Sequence, residues 1–105
     1  MNWKMNEMSE RTLKLWGAEA QTMMATEEAA ELIHAICKHT RKPDIENKAR
    51  VLDEICDVFV TLNTLRIAMG FTEEEIFRGI ERKVERTNER MDRWEEDGIL
   101  EDPHY

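Results

Sequence analysis

Apolar side chains recur along this chain at the spacing of a helix, and only glycine, proline and short polar breaks interrupt them. Val51, Leu52, Ile55, Val58, Phe59, Leu62, Leu65 and Met69 follow the i, i+3, i+4, i+7 pattern. Ile76, Phe77, Ile80, Val84 and Met91 do the same farther on. No segment alternates with period two over the length of a strand. The pattern predicts an all-α fold, an antiparallel helical bundle of about four helices joined by short connections.

The breaks place the helices. Ser9 reads as an N-cap, with Glu10 in the first turn, for a short helix running to Trp16. Gly17 bends or ends it. A long helix follows over 18–40, with Lys38, His39 and Arg41 suited to its negative end. Pro43 stops it, and Pro43-Asp44 opens a loop. The third helix begins at Ile45 or Asn47 and runs to Met69, with Gly70 at its C-terminus. Thr72 to Glu75 forms a capping box for the fourth, which runs to Met91 or Trp94. Residues 97–105 read as a loose tail. The whole, 1–105, reads as one domain with its core over 9–94.

A chain of 105 residues buries only about two thirds of its unfolded surface, so association with further copies is expected. The net charge of -8 argues against a nucleic-acid backbone or an anionic membrane as partner. No apolar run approaches the roughly 18 residues of a membrane span, and the first ten residues lack the apolar stretch of a secretory signal. Cys37 and Cys56 fit neither a disulfide framework nor zinc spacing. They read as buried free thiols in a reducing, cytoplasmic setting.

Two acidic signatures point to chemistry. Glu27-Glu28-Ala29-Ala30-Glu31 lies on the second helix and Glu54-Ile55-Cys56-Asp57 on the third. At about 100° per residue, Glu27, Glu28 and Glu31 span an arc of about 100°, and Glu54 and Asp57 lie about 60° apart. Both groups border an apolar stripe near mid-helix, so antiparallel neighbours would bring them together at the seam. Carboxylates so gathered repel one another unless a cation lies between them. All-oxygen ligation selects Mg²⁺, Mn²⁺ or Ca²⁺ over zinc, with Mg²⁺ the leading reading and Mn²⁺ a possible substitute. Glutamates are also ordinary helix formers, and Glu73, Glu74 and Glu75 read as capping alone.

The order EExxE, then ExxD after some twenty residues, resembles the MazG-like all-α nucleoside triphosphate pyrophosphohydrolases. The resemblance covers roughly residues 16–90 and includes the Trp16-Gly17 pair and Gln21 upstream of the first motif. It implies a helical bundle that completes its site as a homodimer, often a homotetramer, and the Mg²⁺-dependent hydrolysis of an NTP to NMP and pyrophosphate. Carried onto this chain, Glu28, Glu31, Glu54 and Asp57 would be metal ligands. Glu27 would hold a further ion or orient the attacking water, and Glu27 or Glu28 would accept its proton. A related branch acts on phosphoribosyl-ATP.

A triphosphate also calls for cations. Lys83, Arg86 and Arg90 fall within about 60° on the fourth helix, although Glu81, Glu85 and Glu89 could pair with them. The family's Asn four residues after the Lys is replaced here by Thr87, with Asn88 next. Lys38 shares a face with Glu27 and Glu31. Gln21 and Trp16 could bound a nucleobase pocket, or Trp16 could pack in the core. Two rivals remain. Glu31-Leu32-Ile33-His34 is one half of a di-iron bundle signature, whose only second copy is Glu101 to His104. A non-catalytic helical interaction module would use the same bundle and treat the acids as surface.

Overall fold

The computed structural model describes residues 3–98. Every regular element among them is helical: α1 Trp3–Arg41, α2 Ile45–Ala68 and α3 Glu73–Asp97. They fall into two compact units, Met1–Phe71 with α1 and α2, and Thr72–Tyr105 with α3.

Local chemistry sets the boundaries. Gly17 interrupts α1 with φ 87° and ψ 161°, a region that belongs essentially to glycine. α1 is therefore two helical segments, as the sequence implies. Its start corrects the sequence reading. Ser9 caps nothing; it lies two turns inside the helix and is fully buried. At the α1–α2 connection the Asp44 side chain accepts from the Asn47 amide at 2.8 Å, and Asn47 Nδ2 donates to the Lys42 carbonyl at 2.9 Å. Gly70 closes α2 in a left-handed conformation after Met69.

The α3 unit begins with the predicted capping box. Thr72 N donates to Glu75 Oε1 at 3.0 Å, and Glu75 N donates to Thr72 Oγ1 at 3.1 Å. These bonds to the ionised carboxylate hold the Glu75 carboxyl below its ordinary range. α3 continues three residues past Trp94, and Gly98 caps it. The tail beyond Gly98 lies outside the described residues.

α1 and α2 pack as an antiparallel pair along a seam with heptad spacing. The buried and part-buried positions of α1 after Gly17 include Gln21, Ala25, Glu28, Leu32, Ala35 and His39. Those of α2 include Asn47, Val51, Glu54, Val58, Thr61, Leu65 and Ala68. Steps of four and three alternate in both, the signature of side chains interlocking between two helices. The apolar stripe read from the sequence is only partly this seam. Leu52, Ile55, Phe59, Leu62 and Met69 form a second face of α2 that stays exposed. Ala25 and Ala35 are the only buried apolar residues described, and Met23, Met24, Met69 and Met91 are exposed. Cys37 and Cys56 are likewise exposed, against the expectation of buried thiols. On α3, Phe77, Ile80, Val84 and Met91 are exposed. No single described helix is long and apolar enough to cross a membrane.

Candidate metal centre

The seam carries two carboxylates at core positions. Glu28 arrives from α1 and Glu54 from α2, each in the place of an apolar heptad residue. Asp57, one turn after Glu54, flanks the seam on its exposed side. One oxygen from each of Glu28, Glu54 and Asp57 lies within 4.8 Å of the others. That spread suits oxygens sharing one hard cation after a small adjustment, since two ligands on Mg²⁺ sit at most about 4.2 Å apart.

Burial grades across the cluster. Glu54 retains 9% of its exposure, Glu28 is part-buried and Asp57 is exposed. The Glu54 Oε2 atom is shut away from solvent and has no hydrogen-bond donor among the described residues. A buried carboxylate oxygen without a partner is strongly unfavourable, and its neighbours here are further carboxylates. Burial first, then the charges of Asp57, Glu54, Glu31 and Glu27 in that order, hold the Glu28 carboxyl above its ordinary range. All five acids of the two motifs thus act on one neighbourhood. A divalent cation would supply the missing partner of Glu54 and reverse the repulsion at Glu28. The donor set, oxygen only, fits Mg²⁺ or Mn²⁺.

Glu27 and Glu31 are exposed at the edge of this cluster and outside the group of three. His34, one turn beyond Glu31, is exposed and also outside it. The second half of a di-iron signature, Glu101 to His104, lies outside the described residues.

A sequence model of the phosphoribosyl-ATP pyrophosphohydrolase family matches residues 4–84. The match spans α1, α2 and half of α3, and so contains every carboxylate of the centre. The chain belongs to the phosphoribosyl-ATP pyrophosphohydrolase family. It is therefore a hydrolase of phosphoric anhydride bonds, within the MazG-like all-α NTP pyrophosphatase superfamily. Neither the curated proteins nor the solved structures give a match to it. Pyrophosphohydrolases of this kind typically use divalent metals, which accords with the acidic cluster.

The remaining sequence-predicted residues divide by position. Gln21 is buried in the seam, two turns before Glu28. Trp16, beside the Gly17 break, is 64% exposed and so packs in no core of this chain. Lys38 is exposed near the end of α1. On α3, Lys83 and Arg86 are exposed and Arg90 is part-buried. Lys83 lines a shallow depression of about 370 Å³ with Ile80, Val84, Thr87 and Asn88. Asn88, one residue past the family's usual Asn position, therefore reaches the same depression as Lys83. Thr87 lines it too, with its hydroxyl donating to the Lys83 carbonyl at 2.8 Å.

Sequence reasoning missed a second polar cluster in the α1–α2 unit. Ser9 Oγ and Thr64 Oγ1 are 2.7 Å apart, and Asn63 Nδ2 donates to Ser9 Oγ at 3.0 Å. Arg66 Nη2 donates to Asn6 Oδ1 at 3.0 Å and to Asn63 Oδ1 at 3.4 Å, while Nη1 donates to the Phe71 carbonyl at 2.9 Å. The signal was present: Asn63, Thr64 and Arg66 are polar residues interleaved with Leu62, Leu65 and Ile67 on a helix otherwise rich in apolar side chains.

Proposed function

We propose that this protein is a Mg²⁺-dependent nucleoside triphosphate pyrophosphohydrolase, converting an NTP or dNTP and water to the monophosphate and pyrophosphate. The observation that carries this reading is the convergence of Glu28, Glu54 and Asp57 around a buried carboxylate oxygen that lacks a donor. Glu28, Glu54 and Asp57 would hold the cation, with Glu31 beside them. Bound there, a divalent cation neutralises the charge that develops on the phosphate oxygens and on the departing pyrophosphate.

The chain's own residues account for the rest. The water oxygen bonds to the α-phosphorus as the bond to the bridging oxygen breaks, and that electron pair leaves with pyrophosphate. Glu28 is engaged with the ligand group, so the exposed Glu27 beside it takes the proton from water. Within the α1–α2 unit, Lys38 is proposed to bind the triphosphate, and Gln21 and Trp16 the base. The exposed apolar faces of α2 and α3 support a homodimer or homotetramer. A cytoplasmic location accords with two free thiols.

A second reading is favoured by the family match itself: phosphoribosyl-ATP as substrate. It is also a triphosphate cleaved at the same bond, so the same carboxylates serve both readings, and only the base end differs. A panel of NTPs, dNTPs and phosphoribosyl-ATP with Mg²⁺, read as pyrophosphate released, separates them. Orthophosphate as the first product from every member of the panel would remove both.

A further inference from the structure

Two anchor points tie α1 to α2, and they do not fit a straight helix. Glu28 meets Glu54 and Asp57, while Ser9 meets Asn63 and Thr64. Ser9 and Glu28 are nineteen residues apart, about 28 Å along an unbroken helix. Their partners on α2, from Glu54 to Thr64, are ten residues apart at most, about 15 Å. The break at Gly17 absorbs the difference by turning the first segment of α1 back across α2. Beyond it, the two segments are joined through a backbone whose freedom at that residue is two dihedrals.

The interlocking seam fixes the side of α1 that faces α2 only coarsely, because its α1 positions after Gly17 are mostly small or polar: Gln21, Ala25, Glu28, Ala35 and His39, with Leu32 as the large apolar one. Among the described residues of α1, Ala25 and Ala35 are the buried apolar ones, whereas Met23, Met24, Ile33 and Ile36 are exposed. Alanines are poor knobs, so Leu32 carries most of the apolar resistance to a small rotation of this segment. The carboxylates favour such a rotation, because Glu28 faces Asp57 and Glu54 across the seam. A directional constraint must oppose it. The Ser9 cluster supplies one. Ser9 and Asn63 are fully buried, Thr64 and Arg66 nearly so. Their bonds form a consistent chain: Asn63 Nδ2 to Ser9 Oγ, Ser9 to Thr64 Oγ1, Thr64 to the Val60 carbonyl at 3.4 Å. Hydrogen bonds depend steeply on angle, which dispersion contacts do not. Buried polar groups that fix register at a cost in stability are best attested between paired helices.

We propose that Ser9, Asn63, Thr64 and Arg66 are positioning residues for the carboxylate centre: a polar latch that sets the rotation of α1 and so aims Glu28 at Glu54 and Asp57. The proposal rests on that centre being a cation site.

Two variants from opposite helices test it. Thr64→Val removes a hydroxyl while keeping shape, and Ser9→Ala removes its partner. Thr64→Ser keeps the hydroxyl and serves as the rescue. Far-UV circular dichroism selects the variants that fold, and either one suffices. Mn²⁺ affinity, measured by electron paramagnetic resonance on unlabelled protein, should fall about tenfold in Thr64→Val and Ser9→Ala, as for other groups that orient metal ligands. It should return in Thr64→Ser. Separately, nitroxides on the native exposed Cys37 and Cys56 report the α1–α2 relation by pulsed dipolar spectroscopy in excess unlabelled protein. Their distance distribution should broaden in the first two variants and recover in the third. Wild-type Mn²⁺ affinity in a folded Thr64→Val or Ser9→Ala variant overturns the proposal, and so does an unchanged distribution. If the wild type takes up no Mn²⁺, the cation reading itself has failed. The latch is then judged on spin-label distances alone, broadening supporting it and constancy overturning it.

Discussion

The α1–α2 unit buries polar groups in two places, and the two are built on opposite principles. Around Ser9, Asn63, Thr64 and Arg66, hydroxyl, amide and guanidinium groups meet one another and backbone carbonyls. Around Glu54, one oxygen meets no donor, and its nearest polar neighbours carry the same charge. In the first cluster the hydroxyl and amide groups of Ser9, Asn63 and Thr64 find partners within the chain, and the Arg66 Nε atom alone is buried without a hydrogen bond to a described residue. The second leaves a buried acceptor open among like charges. Burial alone does not separate a structural polar cluster from a functional one; the state of its hydrogen bonds does.

The largest expected effect tests the incomplete cluster directly. Asp57→Asn keeps shape and removes charge, and should reduce pyrophosphate release by about a hundredfold or more while the far-UV helical signal persists. Measurable turnover near the wild-type rate would remove Asp57 from the mechanism. Next comes ligand linkage. Mg²⁺ at a hundred times its dissociation constant should raise stability by about 2.7 kcal/mol in a thermal melt. The same titration of Glu54→Gln should give much less, beyond ordinary salt screening.

The third prediction contrasts the clusters by sign. In the metal-free protein, Glu54→Leu removes an unpartnered buried carboxylate and should raise the stability to unfolding, by about 1 kcal/mol or more. Asn63→Leu strands the partners of a satisfied group and should lower it by about 1–3 kcal/mol. Equal signs would erase the distinction drawn above.

The pH dependence follows from Glu28. Its folded-state carboxyl titrates above its unfolded value, so the folded form holds more protons through that window. Metal-free stability should therefore decline as pH rises through the window. A bound cation displaces that proton, so the Mg²⁺-induced stabilisation should be fullest above the window and shrink as pH falls through it. Melts with and without Mg²⁺ from about pH 4 to about pH 8 check both slopes. The smallest effect lies at the start of α3. Thr72→Ala breaks the capping box and should cost about 1 kcal/mol of stability, with Mg²⁺ affinity unchanged.

Much of this was legible in the sequence. Gly17, Pro43 and the Gly70–Thr72 junction mark breaks because each acts on the backbone within a residue or two. The convergence of the acidic motifs was legible because 3.6-residue periodicity fixes the side of a helix on which a carboxylate lies. The Ser9 cluster was not. It depends on α1 turning back at Gly17, and no local rule gives the direction of that turn, so Ser9 looked like a cap. The second apolar face of α2 was hidden for another reason. Leu52, Phe59 and Leu62 match the helical period as well as Val51, Val58 and Leu65 do, and pattern alone does not rank two stripes on one cylinder. Cys56 on α2 fell on the wrong side of that ambiguity.

Gly17 has room around it. A methyl group placed there would meet no atom within 4 Å, so a Cβ clash is no obstacle. The obstacle is chirality. At φ 87° and ψ 161° all L residues face a similar torsional penalty, of order 1–3 kcal/mol, whether alanine or tryptophan. Gly17→Ala should therefore carry its cost in handedness alone, with no clash to relieve.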